Sequence, residues 1–126
     1  LPHTDKIRAN TVSESRRFTS ARAPGIWRAR LGAGGAALAY RGDFDWPGIA
    51  IANRMMGRYD ARPWRMTATD YEQHVAIARD RGTPLQSLIG PPVDAVWDPE
   101  LAPTMTALNA AVQEESALEL LLADLR

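Results

Sequence analysis

The chain has 126 residues, room for one small domain, and 45% of them are hydrophobic, enough for a core. Fifteen basic residues balance fifteen acidic ones, so net charge selects no partner. Cysteine is absent, which excludes disulfides and thiolate metal sites, and no apolar run is long enough to span a membrane. The first residues hold no hydrophobic signal region, so a cytoplasmic location is the expectation. Leu1 in place of Met reads as a fragment or an alternative start.

Charge is uneven along the chain. Residues 1–30 hold Lys6, Arg8, Arg16, Arg17, Arg22, Arg28 and Arg30 against Asp5 and Glu14. Residues 91–126 hold Asp94, Asp98, Glu100, Glu114, Glu115, Glu119 and Asp124 against Arg126. Residues 1–22 show no helical or strand period. They read as a basic arm, disordered or loosely docked, with the domain over 23–126. Such an arm can hold phosphates, though it is more often solvated.

Residues 24–31 are expected as a short helix, with Pro24 early and Ile26, Trp27 and Leu31 on its apolar side. Gly32 to Gly35 then connects helix to strand. A nucleotide-cradling loop needs its glycines after a strand and before a helix, and these come before one. Ala36 to Arg41 is the strand, and Asp43-Phe44-Asp45 stands at its carboxyl end. There, in an α/β sheet, side chains face the crevice where ligands bind. Extended side chains alternate, so Asp43 and Asp45 point the same way. Like charges that close need a cation, a proton or a hydrogen-bond partner. Mg²⁺ or Mn²⁺ suits such oxygens. The plainer reading makes Asp45 the cap of the helix that opens at Trp46-Pro47, and Asp43 a solvated turn residue.

That helix is expected over 47–57, with Ile49, Ile51, Ala52, Met55 and Met56 inward and Gly57 ending it. Ala61 to Met66 is short, contains Pro63 and reads as an edge strand, with Trp64 in the core. Arg62 and Arg65 face phosphate or solvent. Thr67 to Arg79 opens with a capping pattern and sets Tyr71, Val75 and Ile77 inward. His74 lies on that helix. His3 is the other histidine, so a histidine metal site is not expected, and a general-base role for His74 has no further support. A loop over 82–92, a short strand or extended segment over 93–97 and a helix over 99–110 capped by Asp98 follow. Residues 116–125 form a leucine-rich helix, either buried or docked on another surface. Glu114 and Glu115 would sit in its first turn and favour its dipole.

The string Gly42-Asp43-Phe44-Asp45-Trp46-Pro47-Gly48-Ile49-Ala50-Ile51 resembles the G-D-x-D-x-x-G-I-x-I signature of Toprim domains, closest in character to the DNA-cleaving A subunit of type IIB topoisomerases. From Ala36 to Leu125 the chain looks closer still to the C-terminal Toprim-like domain, long called a domain of unknown function, of the nuclease subunit of Wadjet-type anti-plasmid systems. Ala61-Arg62-Pro63-Trp64-Arg65-Met66, Trp97-Asp98-Pro99, Gln113-Glu114-Glu115 and Leu120 to Leu125 carry that likeness.

The resemblance implies an α/β fold, a Toprim-like Rossmannoid sheet with flanking helices. It implies a Mg²⁺- or Mn²⁺-dependent DNA endonuclease when complete, with DNA and an SMC-like ATPase complex as partners, no membrane, and a homodimer allowed. Asp43 and Asp45 would be the catalytic metal ligands, Glu114 and Glu115 further ligands, and Gly48 would permit the tight corner. Toprim enzymes also place a glutamate at the end of the first strand. Here the sole upstream glutamate is Glu14, with no apolar run before it. The first strand is therefore expected to be missing and the domain partial. The alternative is a catalytically inactive remnant or protein-interaction module.

Overall fold

The computed structural model describes residues 18–20, 25–31 and 35–113. Four strands, β1 (Phe18–Ser20), β2 (Ile26–Leu31), β3 (Gly35–Tyr40) and β4 (Arg62–Pro63), form one sheet in the order β1-β2-β3-β4. Three helices among the described residues, α1 (Trp46–Tyr59), α2 (Ala68–Asp80) and α3 (Leu101–Leu108), accompany it. The α/β class expected from the sequence holds. β1 and β3 both run antiparallel to β2, and β2 pairs with β3 from Ile26 opposite Tyr40 to Leu31 opposite Gly35. β4 runs parallel to β3, with Ala39 opposite Arg62 and Tyr40 opposite Pro63. Parallel neighbours need a crossover, and α1 is that crossover, so β3-α1-β4 is a βαβ unit.

The helix expected over 24–31 is instead strand β2, and the glycines after it lead from strand to strand, with residues 32–34 outside the described ones. Ile26 and Tyr40 are a directly opposed pair, both buried. Trp27 points to the other face and meets the Trp64 ring edge-on at 6.0 Å. That is a two-residue alternation, and β3 alongside supplies the hydrogen bonds a short isolated helix would lack. Of the arm over residues 1–22, Phe18–Ser20 pairs with β2 as β1. Residues 1–17 and 21–22 lie outside the described residues, as do Glu114, Glu115 and the segment 116–125.

α1 buries Ile49, Ala52 and Met56, the spacing of one helix face. Ile51, expected inward, is 42% exposed, because two positions along a helix turn it roughly 200° from Ile49. Gly57 does not end α1. The helix continues to Tyr59, and Asp60 caps it with a left-handed backbone (φ 51°) that turns the chain while its N–H donates to the Met56 carbonyl. α2 opens with the expected capping box: Thr67 Oγ1 accepts from the Asp70 N–H, and Asp70 Oδ2 accepts from the Thr67 N–H. Tyr71, Val75 and Ala78 face inward. Ile77, also expected inward, is 37% exposed, two positions from Val75.

In the segment 93–97, expected as a short strand or extended, Ala95 bridges to Asp98 around a turn at Val96 and Trp97. Asn53 of α1 holds it, donating from Nδ2 to the Asp94 carbonyl at 2.8 Å and accepting at Oδ1 from the Val96 N–H at 3.0 Å. α3 is shorter than expected, and Asp98 does not cap it. Its Oδ2 accepts from the Ala68 N–H at 2.8 Å, in the first turn of α2, and its Oδ1 from the Glu100 N–H at 3.0 Å. The Trp97 indole N–H donates to the Met66 carbonyl at 2.7 Å. α1 packs on β3 and α3 on α2. Ile49, Met66, Tyr71, Leu101 and Met105 are sealed between them. No helix among the described residues is long and apolar enough to cross a membrane.

Candidate functional site

β3 ends at Tyr40, and the chain then makes a corner into α1. Arg41 N–H still donates to the Gly25 carbonyl at 2.9 Å, which carries the β2–β3 ladder one step further. Gly25 has φ 81°, and a Cβ there would lie 2.7 Å from the Arg41 carbonyl oxygen. Three residues on, Phe44 exchanges both backbone hydrogen bonds with Val112, at 2.8 and 3.1 Å. Its ring is buried against Tyr71, with centroids 5.4 Å apart, and lies 6.2 Å from the imidazole of His74. Asp43 and Asp45 flank the buried Phe44. Both are half-buried.

The two aspartates have different local duties. Asp45 is extended (φ −143°), and its Oδ1 accepts from the Gly48 N–H at 2.6 Å. It is the N-cap of α1. Gly48 is buried with no room for a side chain: a Cβ would collide with the Asp43 carbonyl oxygen and lie 2.7 Å from Asp45 Oδ1. The tight corner expected at Gly48 is therefore present. The corner is clamped from behind by Gly48 and from the side by Val112.

Arg41 was not legible as a site residue, because a lone arginine after an apolar run carries no motif. It is 2% exposed. Its Nη1 donates to the Trp64 carbonyl at 3.2 Å, and its guanidinium lies 5.7 Å from the Trp64 ring centroid. Trp64, expected in the core, is half-buried between this cation and Trp27. Arg62 is exposed and Arg65 half-buried.

His74 is buried on α2, and its Nδ1 has no hydrogen-bond partner among the described residues. Burial first, then the positive charge of Arg41, lowers its pKa to about 4; Asp70 opposes the shift and Arg65 adds to it. The imidazole is thus neutral at pH 7. It lines a cavity of about 280 Å³ with Arg81, Gln86, Val112 and Gln113, behind the Phe44–Val112 pair. Core packing is its evident role.

Among the described residues no cluster of three or more histidine, aspartate or glutamate side chains could hold a metal ion. The corner therefore supplies two carboxylates. Mg²⁺ often takes only one or two protein carboxylates and fills its shell with water and phosphate oxygens, so the donor chemistry fits. Glu114 and Glu115 lie outside the described residues. The strand beside β3 opposite β4 is β2, and its sequence, Ile-Trp-Arg-Ala-Arg-Leu, contains no acidic residue.

Residues 20–125 match the protein family described as "Protein of unknown function C-terminus (DUF2399)". No curated protein and no solved structure matches the chain.

Proposed function

We propose, from the premise that this chain belongs to the DUF2399 family, that its Asp43–Asp45 corner is the metal-dependent, DNA-cleaving centre of a Toprim-like domain. In this reading the domain serves a Wadjet-type anti-plasmid nuclease that works beside an SMC-like ATPase complex. The observation that carries the proposal is the clamped corner: two half-buried aspartates flank a buried phenylalanine at the carboxyl end of β3, with Gly48 packed against them.

A divalent cation held there would neutralise phosphate charge and stabilise the attacking or leaving oxygen. The residues' own part is to hold oxygens ready. The Gly48 N–H fixes the Asp45 carboxylate through Oδ1 and leaves Oδ2 for a ligand. Phe44 fixes the backbone on which both aspartates ride. Asp43 and Asp45 would bind Mg²⁺ or Mn²⁺, and Glu114 and Glu115 would extend the ligand set.

Mn²⁺ titration by calorimetry tests this without any activity assay. Wild type should bind saturably, and the Asp43→Asn, Asp45→Asn double variant should not. Asparagine also caps helices, so the double variant keeps α1. A folded wild type that binds no Mn²⁺ rejects the metal centre.

One observation favours a second reading, a protein-interaction module or inactive remnant. The strand next to β3 carries no glutamate, and Asp45 already has a structural duty as a cap. A cooperatively folded chain with no Mn²⁺ binding and no DNA nicking is the result this second reading expects.

A further inference from the structure

The cavity of about 280 Å³ beside α2 is lined by His74, Ala78 and Arg81. Ala78 and Arg81 stand four and seven positions after His74, which puts all three on one helix face. Arg81 is the C-cap and keeps helical backbone angles (φ −86°, ψ −2°), so the stripe continues past the last residue of α2. Between the imidazole and the guanidinium stands the single methyl of Ala78, where a longer side chain would fill the space. Leu85, Gln86 and Val112 supply further walls. Two backbone bonds set them in place. Thr83 N–H donates to the Ala78 carbonyl at 2.8 Å, and Ala111 N–H donates to the Gln86 carbonyl at 2.7 Å. The cavity is thus built into the fold, with apolar walls and a few polar groups, as small-molecule sites are.

The polar groups are graded by depth. His74 is 6% exposed, whereas Arg81 and Gln86 are exposed. The imidazole therefore lies at the inner end and the guanidinium at the mouth. His74 Nδ1 is buried without a partner, and the ring makes no hydrogen bond among the described residues. Buried polar groups are nearly always hydrogen-bonded, so such an imidazole beside a cavity marks a place for a partner from outside the chain. None of the described residues that line the cavity is acidic. We infer that the cavity binds a small organic acid: its carboxylate meets Arg81, its apolar body covers Ala78, and a hydroxyl at its far end hydrogen-bonds to His74. A guanidinium matches a carboxylate through paired N–H donors. A neutral imidazole has one donor and one acceptor nitrogen, so it can pair with a hydroxyl. The site does not depend on the aspartate corner being a metal centre. Val112 nevertheless belongs to both places, because its backbone pairs with Phe44.

The experiment is proton–nitrogen NMR of the full chain at pH 7, with p-hydroxybenzoate as the probe. It reads the Thr83 and Val112 amides and the His74 ring nitrogens, and saturable shifts are expected at all of them. Benzoate lacks the hydroxyl and should bind roughly threefold to tenfold more weakly, the net worth of one hydrogen bond. p-Hydroxybenzamide lacks the charge and should bind about fivefold more weakly, the scale of an exposed ion pair. Arg81→Gln should erase the preference for the acid over the amide. His74→Phe should erase the preference for p-hydroxybenzoate over benzoate. A variant that merely loses stability leaves both ratios unchanged. Ala78→Leu should fill the cavity and abolish binding. Wild type without saturable shifts leaves the cavity to water and overturns the inference. Three compounds that bind alike, or preferences that survive Arg81→Gln and His74→Phe, overturn it too.

Discussion

Phe44 and Val112 exchange both of their backbone hydrogen bonds, at 2.8 and 3.1 Å, and this pair joins the corner after β3 to the segment after α3. The Phe44–Val112 pair and the Asp45 cap on the Gly48 N–H both hold the corner. The stability of the corner is therefore a property of the whole domain, and small changes near it should be felt as global stability.

Gly48→Ala should destabilise the protein by about 1–3 kcal/mol, the usual cost of forcing an atom into filled space, because the new methyl meets the Asp43 carbonyl. The matched control is Gly57→Ala. Gly57 sits inside α1 with open space around its missing Cβ, so alanine should stabilise by about 0.5–1 kcal/mol. Urea unfolding of both variants checks the pair, and opposite signs are the expected result.

Asp45 allows its two duties to be separated. Asp45→Asn should keep stability within a few tenths of a kcal/mol, whereas Asp45→Ala should lose about 1 kcal/mol with the cap. Mn²⁺ affinity should drop in both. If Asp45→Asn binds Mn²⁺ like the wild type, Asp45 is a cap and nothing more.

His74 predicts a pH dependence. Its folded pKa lies near 4, below the ordinary 6.5, so between those values the unfolded chain binds a proton that the folded chain excludes. Its contribution is therefore whole above about pH 6.5 and is lost as pH falls toward 4. A shift of this size corresponds to about 3 kcal/mol. His74→Leu should flatten the fall in unfolding free energy over that window, and an equally steep fall in the variant would disprove the assignment.

Asp98 binds the start of α2 to the turn before α3 through both carboxylate oxygens. Asp98→Ala should cost about 2 kcal/mol, the loss of hydrogen bonds to a charged acceptor. Hydrogen exchange at the Ala68 amide should accelerate with it, and an Ala68 amide as protected as in the wild type would contradict the link.

Local chemistry determined much of this protein by itself. The apolar run into Asp43-Phe44-Asp45 specified β3 and its corner. Asp45 with Pro47 specified the start of α1, Thr67 with Asp70 the start of α2, and Pro63 an edge strand. Each of these signals acts within about four residues, the reach of a cap, a helical turn or a proline ring. The α/β class follows from their order.

Tertiary structure decided the rest. Ile26 to Leu31 is a strand because β3 lies beside it, and a propensity read along the chain cannot register a hydrogen-bonding partner. Ile51 and Ile77 stay exposed because other faces of α1 and α2 meet the core. Arg41 is buried beside Trp64, which follows it by 23 residues, and His74 stays neutral down to about pH 4 because burial and then Arg41 disfavour its charge. Asp98 serves α2 instead of the helix that follows it, because the open N–H at the first turn of α2 comes within reach only after the chain has folded back.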